Sequence, residues 1–283
     1  MKKFRQVYVE ITNICNLNCS FCPKHSRKMG YMSVLDFERV AKSIAPLTRV
    51  VCLHLMGEPL LHPEFDKICE IARENGLQIY LTTNGTLLKN HLDVFKNGLV
   101  KRISVSLHSY EANARNMPLS EYLYELFEIS REITTCEHVF VEFRLWNEGG
   151  QNALNSRIID IANEYFNSKL PYQLTENVFV TNEIYFSPDE IFEWPCDTES
   201  SAPYENKYCY GLRSHFGVLC DGQVVACCLD NDGKLALGNI FDTPIEEILA
   251  SKRAVNIRDG FQHNIAVEDF CKTCSFTNKF DVK

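Results

Sequence analysis

Eight residues carry the strongest chemical signal in the chain: Cys15-Asn16-Leu17-Asn18-Cys19-Ser20-Phe21-Cys22. Thiolates are soft ligands suited to iron–sulfur clusters, which ordinarily take four cysteines. A cluster held by Cys15, Cys19 and Cys22 alone leaves one iron open to another ligand, and an open iron suggests reactivity rather than electron storage. The competing reading is a zinc loop completed by His25, although zinc loops more often pair C-x2-C elements. A second group lies far along the chain: Cys209, Cys227 and the pair Cys271 and Cys274, with Cys220 and Cys228 as competitors for the place of Cys227. Four thiolates fit a fully ligated iron–sulfur cluster or a structural zinc equally well.

Both groups need a scaffold. From Val7 to about Thr181, β-rich runs alternate with helical patterns, as in βα repeats around a parallel sheet. Strands are predicted at Val7–Asn13, Val50–Met56, Leu77–Asn84, Lys101–His108 and His138–Leu145, with a sixth inside Val178–Phe186. Helices are predicted at Val34–Ala45, Glu64–Asn75, Asn90–Asn97, within Glu121–Thr134, and at Asn152–Asn167. One face of each strand is apolar, as in Val7, Val9 and Ile11. The alternate face is polar, as in Tyr8 and Glu10, Cys52 and His54, Ser104 and Ser106, Glu142 and Arg144. An ordinary eight-stranded barrel fills its interior with branched apolar side chains, so a polar inner face predicts an open barrel around a wet site.

The expected fold class is α/β: a partial (β/α)6 TIM-like barrel over 1–187, a connection over 188–204, and a small α+β auxiliary-cluster domain over 205–283. In that domain Asp221-Gly222 predicts a hairpin between Phe216–Leu219 and Gln223–Ala226, and Ile245–Arg253 an amphipathic helix.

The C-x3-C-x2-C run, with Phe21 before its last cysteine and a predicted strand just ahead of it, resembles the signature of the radical SAM superfamily. The resemblance implies that the open iron binds S-adenosylmethionine. Reductive cleavage of that cofactor would give methionine and a 5′-deoxyadenosyl radical that abstracts a substrate hydrogen. Met56-Gly57-Glu58-Pro59 resembles the family's Gly-Gly-Glu-Pro motif, with Met56 in place of the first glycine, and Thr83-Asn84-Gly85 resembles its Thr-Asn-Gly. Ser106 matches a polar position near the cofactor's ribose or carboxylate. The resemblance thus assigns cofactor contacts to Phe21, Gly57, Glu58, Pro59, Asn84 and Ser106, with Gly57 expected to let the ligand approach closely.

Cys209, Gly222, Cys227 and the late C-x2-C resemble the Twitch domain, the shortened form of SPASM, because no cysteine follows Cys274. The implied cofactors are two 4Fe-4S clusters and S-adenosyl-L-methionine. One radical site with one auxiliary cluster is similar to the superfamily's aminocyclitol dehydrogenases, of which 2-deoxy-scyllo-inosamine dehydrogenase is one.

Arg144 and His108 are the inward residues expected to work on substrate. A buried arginine needs an anionic partner, and Glu142, the cofactor carboxylate and the substrate all qualify. A histidine, with an ordinary pKa of roughly 6.5, suits proton transfer or a structural hydrogen bond. Cys228 is a candidate hydrogen donor for a rival reaction, epimerisation, with Cys220 and Cys52 as alternatives; peptide maturation is a third possibility.

A net charge of −8 gives no support for binding nucleic acid or an anionic membrane. Met1-Lys2-Lys3 is not followed by an apolar segment, and thirteen cysteines without an export signal suit metal ligation in a reducing compartment. The expectation is therefore cytoplasmic. The expected partners are a small-molecule substrate and an electron donor such as flavodoxin or ferredoxin. A first strand beginning by Val7 leaves no room for a separate N-terminal peptide-recognition domain, which favours a sugar or cyclitol alcohol.

Overall fold

The structure, a computed structural model, describes residues 3–113, 117–136, 138–195 and 206–280. Its first half builds β1 (Val7–Val9), α1 (Val34–Ile44), β2 (Val50–Cys52), α2 (Phe65–Glu74), β3 (Gln78–Thr83), α3 (Leu92–Lys96) and β4 (Val100–Ser106). Then come α4 (Leu119–Cys136), β5 (Phe140–Glu148), α5 (Asn155–Phe166), β6 (Val178–Phe179) and β7 (Ile184–Glu190). Local sequence sets the boundaries. Ser33 caps α1 by accepting the Asp36 N–H at 3.1 Å, and the Gly76 positive φ of 69° turns the chain after α2.

Strands β1, β2, β3, β4, β5 and β7 run parallel in that order. The sixth parallel strand is therefore β7; within the predicted 178–186 window the chain first forms β6, which pairs antiparallel to it. β7 extends to Glu190, so the predicted barrel boundary at 187 falls inside a strand. Of the predicted connection, 196–204 lies outside the described residues. Apolar and polar faces segregate as the alternation demands. Val7, Val9, Val51, Leu53, Ile79, Leu81, Ile103, Val105, Val141 and Phe143 are buried in one core with the helices. Each such side chain contributes about 1.5–3 kcal/mol of burial.

The auxiliary segment does not stand apart from this sheet. Its hairpin of β8 (Gly217–Val218) and β9 (Gln223–Val225) adds β8 parallel to β1, pairing Tyr8 with Gly217 and Val9 with Val218. β10 (Ala236–Asn239), which hydropathy did not suggest, extends the edge antiparallel to β9. The helix predicted over Ile245–Arg253 is two helices, α6 (Ile245–Ala250) and α7 (Lys252–Gln262). Ser251 between them is extended, and its hydroxyl caps α7 by accepting the Ala254 N–H at 3.3 Å, a competition that breaks the run. α8 (Asp269–Lys272) carries Cys271, with Cys274 just beyond its end. No helix among the described residues is long and apolar enough to cross a membrane.

A buried ion pair ties the halves together. Arg27 in the cysteine loop bonds Glu10 through both terminal nitrogens at 2.7 Å, and Glu10 is fully buried. Glu10 also accepts the Met56 and Cys220 backbone N–H groups, each at 3.2 Å, while Arg27 donates to the Asn231 carbonyl at 2.8 Å. Asn231 in turn donates to the Lys24 carbonyl at 2.9 Å. Arg27→Leu would leave an uncompensated carboxylate in the core and is expected to cost about 3–5 kcal/mol in denaturant unfolding. Replacing both partners, Arg27→Leu with Glu10→Leu, should cost much less, because no buried charge is then orphaned.

Candidate active site

The cysteine loop begins where β1 ends and is pinned at its base. Thr12 Oγ1 donates to the Gly30 carbonyl at 2.9 Å, and Asn13 bonds the Lys28 carbonyl and the Gly30 N–H at 3.0 and 2.8 Å. Cys15, Cys19 and Cys22 are free thiols close enough to influence one another. Burial first, then Cys19 and Cys15, pushes Cys22 up to about 11, and burial also raises Cys15. Donors converge on the sulfurs: the Leu17 N–H on Cys15 at 3.4 Å, Asn84 Nδ2 on Cys15 at 4.0 Å and Asn113 Nδ2 on Cys19 at 3.1 Å. A three-thiol loop in which burial holds Cys15 and Cys22 neutral, ringed by donors that stabilise sulfur charge, fits a cationic cluster and its thiolates. His25, the alternative zinc ligand, turns Nε2 to the Asn13 carbonyl at 3.4 Å. Asn113 was not legible in the sequence, since it lies between strand motifs in a stretch without periodicity.

The short motifs surround this loop, and the packing of two of their residues shows how the edge is held. A Cβ on Gly57 would lie 2.5 Å from the Thr12 carbonyl oxygen, and its φ is +76°. The glycine is therefore required by the Thr12–Asn13 backbone just after β1, whatever ligand approaches the other side. Glu58 does not present its carboxylate outward. It is buried, capping the turn at Pro59–Leu61 through the Leu60 N–H at 3.2 Å and accepting Thr83 Oγ1 at 2.8 Å and the Asn84 N–H at 2.7 Å. Burial pushes this carboxyl up to about 7. Glu58 is thus the bracket that fixes Thr83-Asn84, while Pro59 starts the turn where no N–H is needed. Asn84 reaches Asn16 Oδ1 at 2.8 Å as well as Cys15. Ser106 ends β4. Phe21 is exposed and its ring centre lies 4.8 Å from that of His108.

Below the loop the inner face is a hydrogen-bonded array. Glu142 is the partner of Arg144: Arg144 Nε lies 2.9 Å and Arg102 Nη2 3.0 Å from its carboxylate, and Ser104 also donates to it. Burial raises the Glu142 carboxyl, but Arg144 and Arg102 outweigh it and hold it below the ordinary range. Arg144 also reaches Thr82 Oγ1 at 3.3 Å and stacks 4.0 Å over the Trp146 ring. Thr82 continues to His54 Nε2 at 3.2 Å. Burial, then Arg144, pulls His54 down to about 3, and burial pulls His108 down to about 4. His108 sits in the turn after β4, with Nδ1 3.2 Å from the Arg144 carbonyl and 3.4 Å from the Trp146 N–H. Both imidazoles are therefore neutral near pH 7.

The second cysteine group also converges. Cys209, Cys227, Cys271 and Cys274 line one apolar pocket with Phe261 and Phe270. Burial and then Cys227 push Cys209 up to about 12 and Cys274 up to about 11. Four thiols packed so that none ionises alone are matched to a multiply charged metal group. Lys207, unsuspected from sequence, is buried beside them and donates to the Cys274 carbonyl at 2.7 Å. Cys220 stands away from this cage, 3.9 Å from Arg27. Cys228 faces Tyr8 and His215 rather than the pocket.

The radical SAM superfamily model matches residues 9–139, and the SPASM model, an iron-sulfur cluster-binding domain, matches residues 209–275. Among curated proteins, GTP 3',8-cyclase of Aquifex aeolicus (strain VF5) is 33% identical over 131 residues, covering 43% of this chain and 41% of that protein. The GTP 3',8-cyclase of Klebsiella pneumoniae (strain 342) is 30% identical over 119 residues, 39% of this chain and 36% of the relative. The chain thus spans 41% or less of the length of these curated relatives. Among solved structures, BtrN in complex with AdoMet and 2-DOIA superposes with a TM-score of 0.64 at 17% identity, over 97% of this chain and 94% of that one. Streptococcus suis SuiB gives 0.64 at 13% identity, over 99% and 75%. The anSMEcpe structure with AdoMet and Kp18Cys peptide gives 0.60 at 17%, over 96% and 86%. These likenesses establish the fold.

Proposed function

The chain is a radical SAM protein with a SPASM-type iron–sulfur cluster-binding domain, and we propose that it oxidises an alcohol of a small sugar- or cyclitol-type substrate to a ketone. In this reading Cys15, Cys19 and Cys22 hold the 4Fe-4S cluster that cleaves S-adenosylmethionine, and Cys209, Cys227, Cys271 and Cys274 hold a second. When bound, the two groups supply the electron that breaks the sulfonium and take up the electron that the substrate radical must lose. The observation that carries the proposal is one hydrogen-bonded interior, built on Arg144, Glu142, Thr82 and His54, in a chain with one three-thiol and one four-thiol group.

The chain's own residues bind and orient. Phe21, the Gly57–Pro59 edge, Asn84 and Ser106 frame the cofactor beside the first loop. Arg144, held flat by Glu142 and Trp146, directs its remaining N–H groups at substrate hydroxyls. The neutral His108, packed beside the exposed Phe21 ring, accepts the hydroxyl proton. The barrel, which runs to the end of β7 at Glu190, and the auxiliary unit of 205–283 would act together, with the electron coming from a flavodoxin- or ferredoxin-like donor. The similarity in fold to BtrN, whose complex contains AdoMet and 2-DOIA, supports a cyclitol-sized ligand.

Cys228 supports a second reading, epimerisation, because it is a free thiol outside the cage. Turnover in deuterated water separates the two. A dehydrogenase releases a ketone with no solvent deuterium on carbon, whereas deuterium on an inverted carbinol carbon would overturn the proposal.

A further inference from the structure

The barrel has a second opening, at the starting ends of its strands. A cavity of about 460 Å³ is lined there by Gln78 and Tyr80 of β3, Lys101 and Arg102 of β4, Phe140 of β5 and Tyr185 of β7. Its volume falls in the range of small-molecule sites. Gly57, Asn84 and Ser106 lie at or just beyond the opposite ends of β2, β3 and β4. This lower mouth therefore contains none of the positions assigned above to the cofactor.

Charge in the mouth is unbalanced. Lys101, Arg102 and His138 line it, and among the described residues no aspartate or glutamate does. Behind the wall, Arg102 and Arg144 share the single carboxylate of Glu142, which leaves one cation in excess. Lys101 Nζ has no hydrogen-bond or ion-pair partner among the described residues, and Arg102 Nε is buried without one. Arg102 Nη2 lies 2.5 Å from the Tyr185 hydroxyl and can only donate, so the phenol proton is left for an acceptor in the mouth. In a chain of net charge −8, a concave site of positive sign concentrates anions. An anion seated there also supplies the partner that a half-buried cation otherwise lacks.

The walls indicate what carries the anion. The Arg102 guanidinium lies 5.8 Å from the ring centres of both Tyr80 and Tyr185, and Phe179 packs on Tyr185 at 4.9 Å. Phe140 and Phe179 are exposed at the rim. Aromatic walls with a few placed donors suit a ring that has an apolar face and a charged substituent. Arg102 stands four residues before Ser106, and Ser106 pairs with Arg144, so the mouth and the Arg144 level are about 13 Å apart along the strands. With a hydrogen bond at each end, a ring bearing a phosphate ester covers that distance. We propose that the lower mouth binds a phosphate group of the substrate, held by Lys101, Arg102 and the Tyr185 hydroxyl, and that the alcohol oxidised belongs to a phosphorylated sugar or cyclitol. This inference rests on the sugar- or cyclitol-alcohol reading above.

The test is anaerobic titration calorimetry of the full, iron-loaded chain with three probes: glucose 6-phosphate, inorganic phosphate and glucose. Both phosphates should bind saturably, glucose 6-phosphate more tightly, and glucose should not bind measurably. Lys101→Gln should weaken both phosphates by about tenfold, the usual order for one charged hydrogen bond. Lys252→Glu, an exposed change on α7, should leave both affinities as they are. If Lys101→Gln protein does not fold, Tyr185→Phe, which keeps the ring and removes only the hydroxyl, decides in its place by the same loss. Absence of binding by either phosphate, or affinities unmoved in the two mouth variants, would overturn the proposal. Binding of inorganic phosphate without glucose 6-phosphate would overturn it too, since the mouth would then take a free anion and not a substrate. These affinities need no turnover. Failure of the alcohol-oxidation reading, seen as solvent deuterium on carbon, is therefore a separate result.

Discussion

Cys19→Ala protein, purified without oxygen, is expected to form 5′-deoxyadenosine from S-adenosylmethionine only at background level, with its iron content reduced by about half. The argument runs through ligand number. A cluster already at three protein ligands has none to spare, since each thiolate both holds an iron and offsets its charge. Cys19 is also the sulfur that Asn113 engages at 3.1 Å, so its loss removes a ligand and takes the sulfur acceptor away from that donor. Cys69→Ala is the control. Cys69 is buried in α2 within the apolar core, and its removal should change stability modestly while leaving iron and cofactor cleavage intact. Continued reductive cleavage by Cys19→Ala protein, or zinc in the wild-type loop, would falsify the first-cluster assignment.

Much of this arrangement is legible in the order of residues alone. Alternation in β4 and β5 identifies Ser104, Glu142 and Arg144 as inward residues, because a period of two fixes the face wherever one side is packed. Spacing locates both cysteine groups, since ligands close in sequence must converge. What sequence leaves open depends on contacts between distant segments. Arg144 has three plausible anionic partners, and only the register of β5 beside β4 brings Arg102 and Arg144 onto the same carboxylate of Glu142. Gly57 reads as a ligand-approach glycine, yet its nearest neighbour is the Thr12 carbonyl, forty-five positions earlier. Asn113, Lys207 and Arg27 leave no periodic trace, and the pairing of β8 with β1 has no local signature at all. The break at Ser251 is available in principle, as serine before a helical run is a capping signal.

Removing one thiol from the other cage should give the complementary result. Cys271→Ala protein is expected to retain about half the iron and the cofactor-dependent spectral change of the first cluster, because the two groups share no ligand. It should still form 5′-deoxyadenosine, while ketone formation falls to background. The reasoning is that hydrogen abstraction needs only the first cluster, whereas a carbinol radical becomes a ketone only by giving up a proton and an electron. In the proposed reaction the proton goes to His108, which burial keeps neutral, and the electron goes to the group held by the second cage. Stability should fall too. Cys209, Cys227 and α8 come from three separate segments, and a bound metal group joins them in the native state only, so its loss removes binding energy that contributes to folding. Anaerobic iron counts, thermal unfolding and product analysis on one preparation check all three expectations. Ketone made at the wild-type rate by Cys271→Ala protein would mean that the electron leaves the substrate by another route.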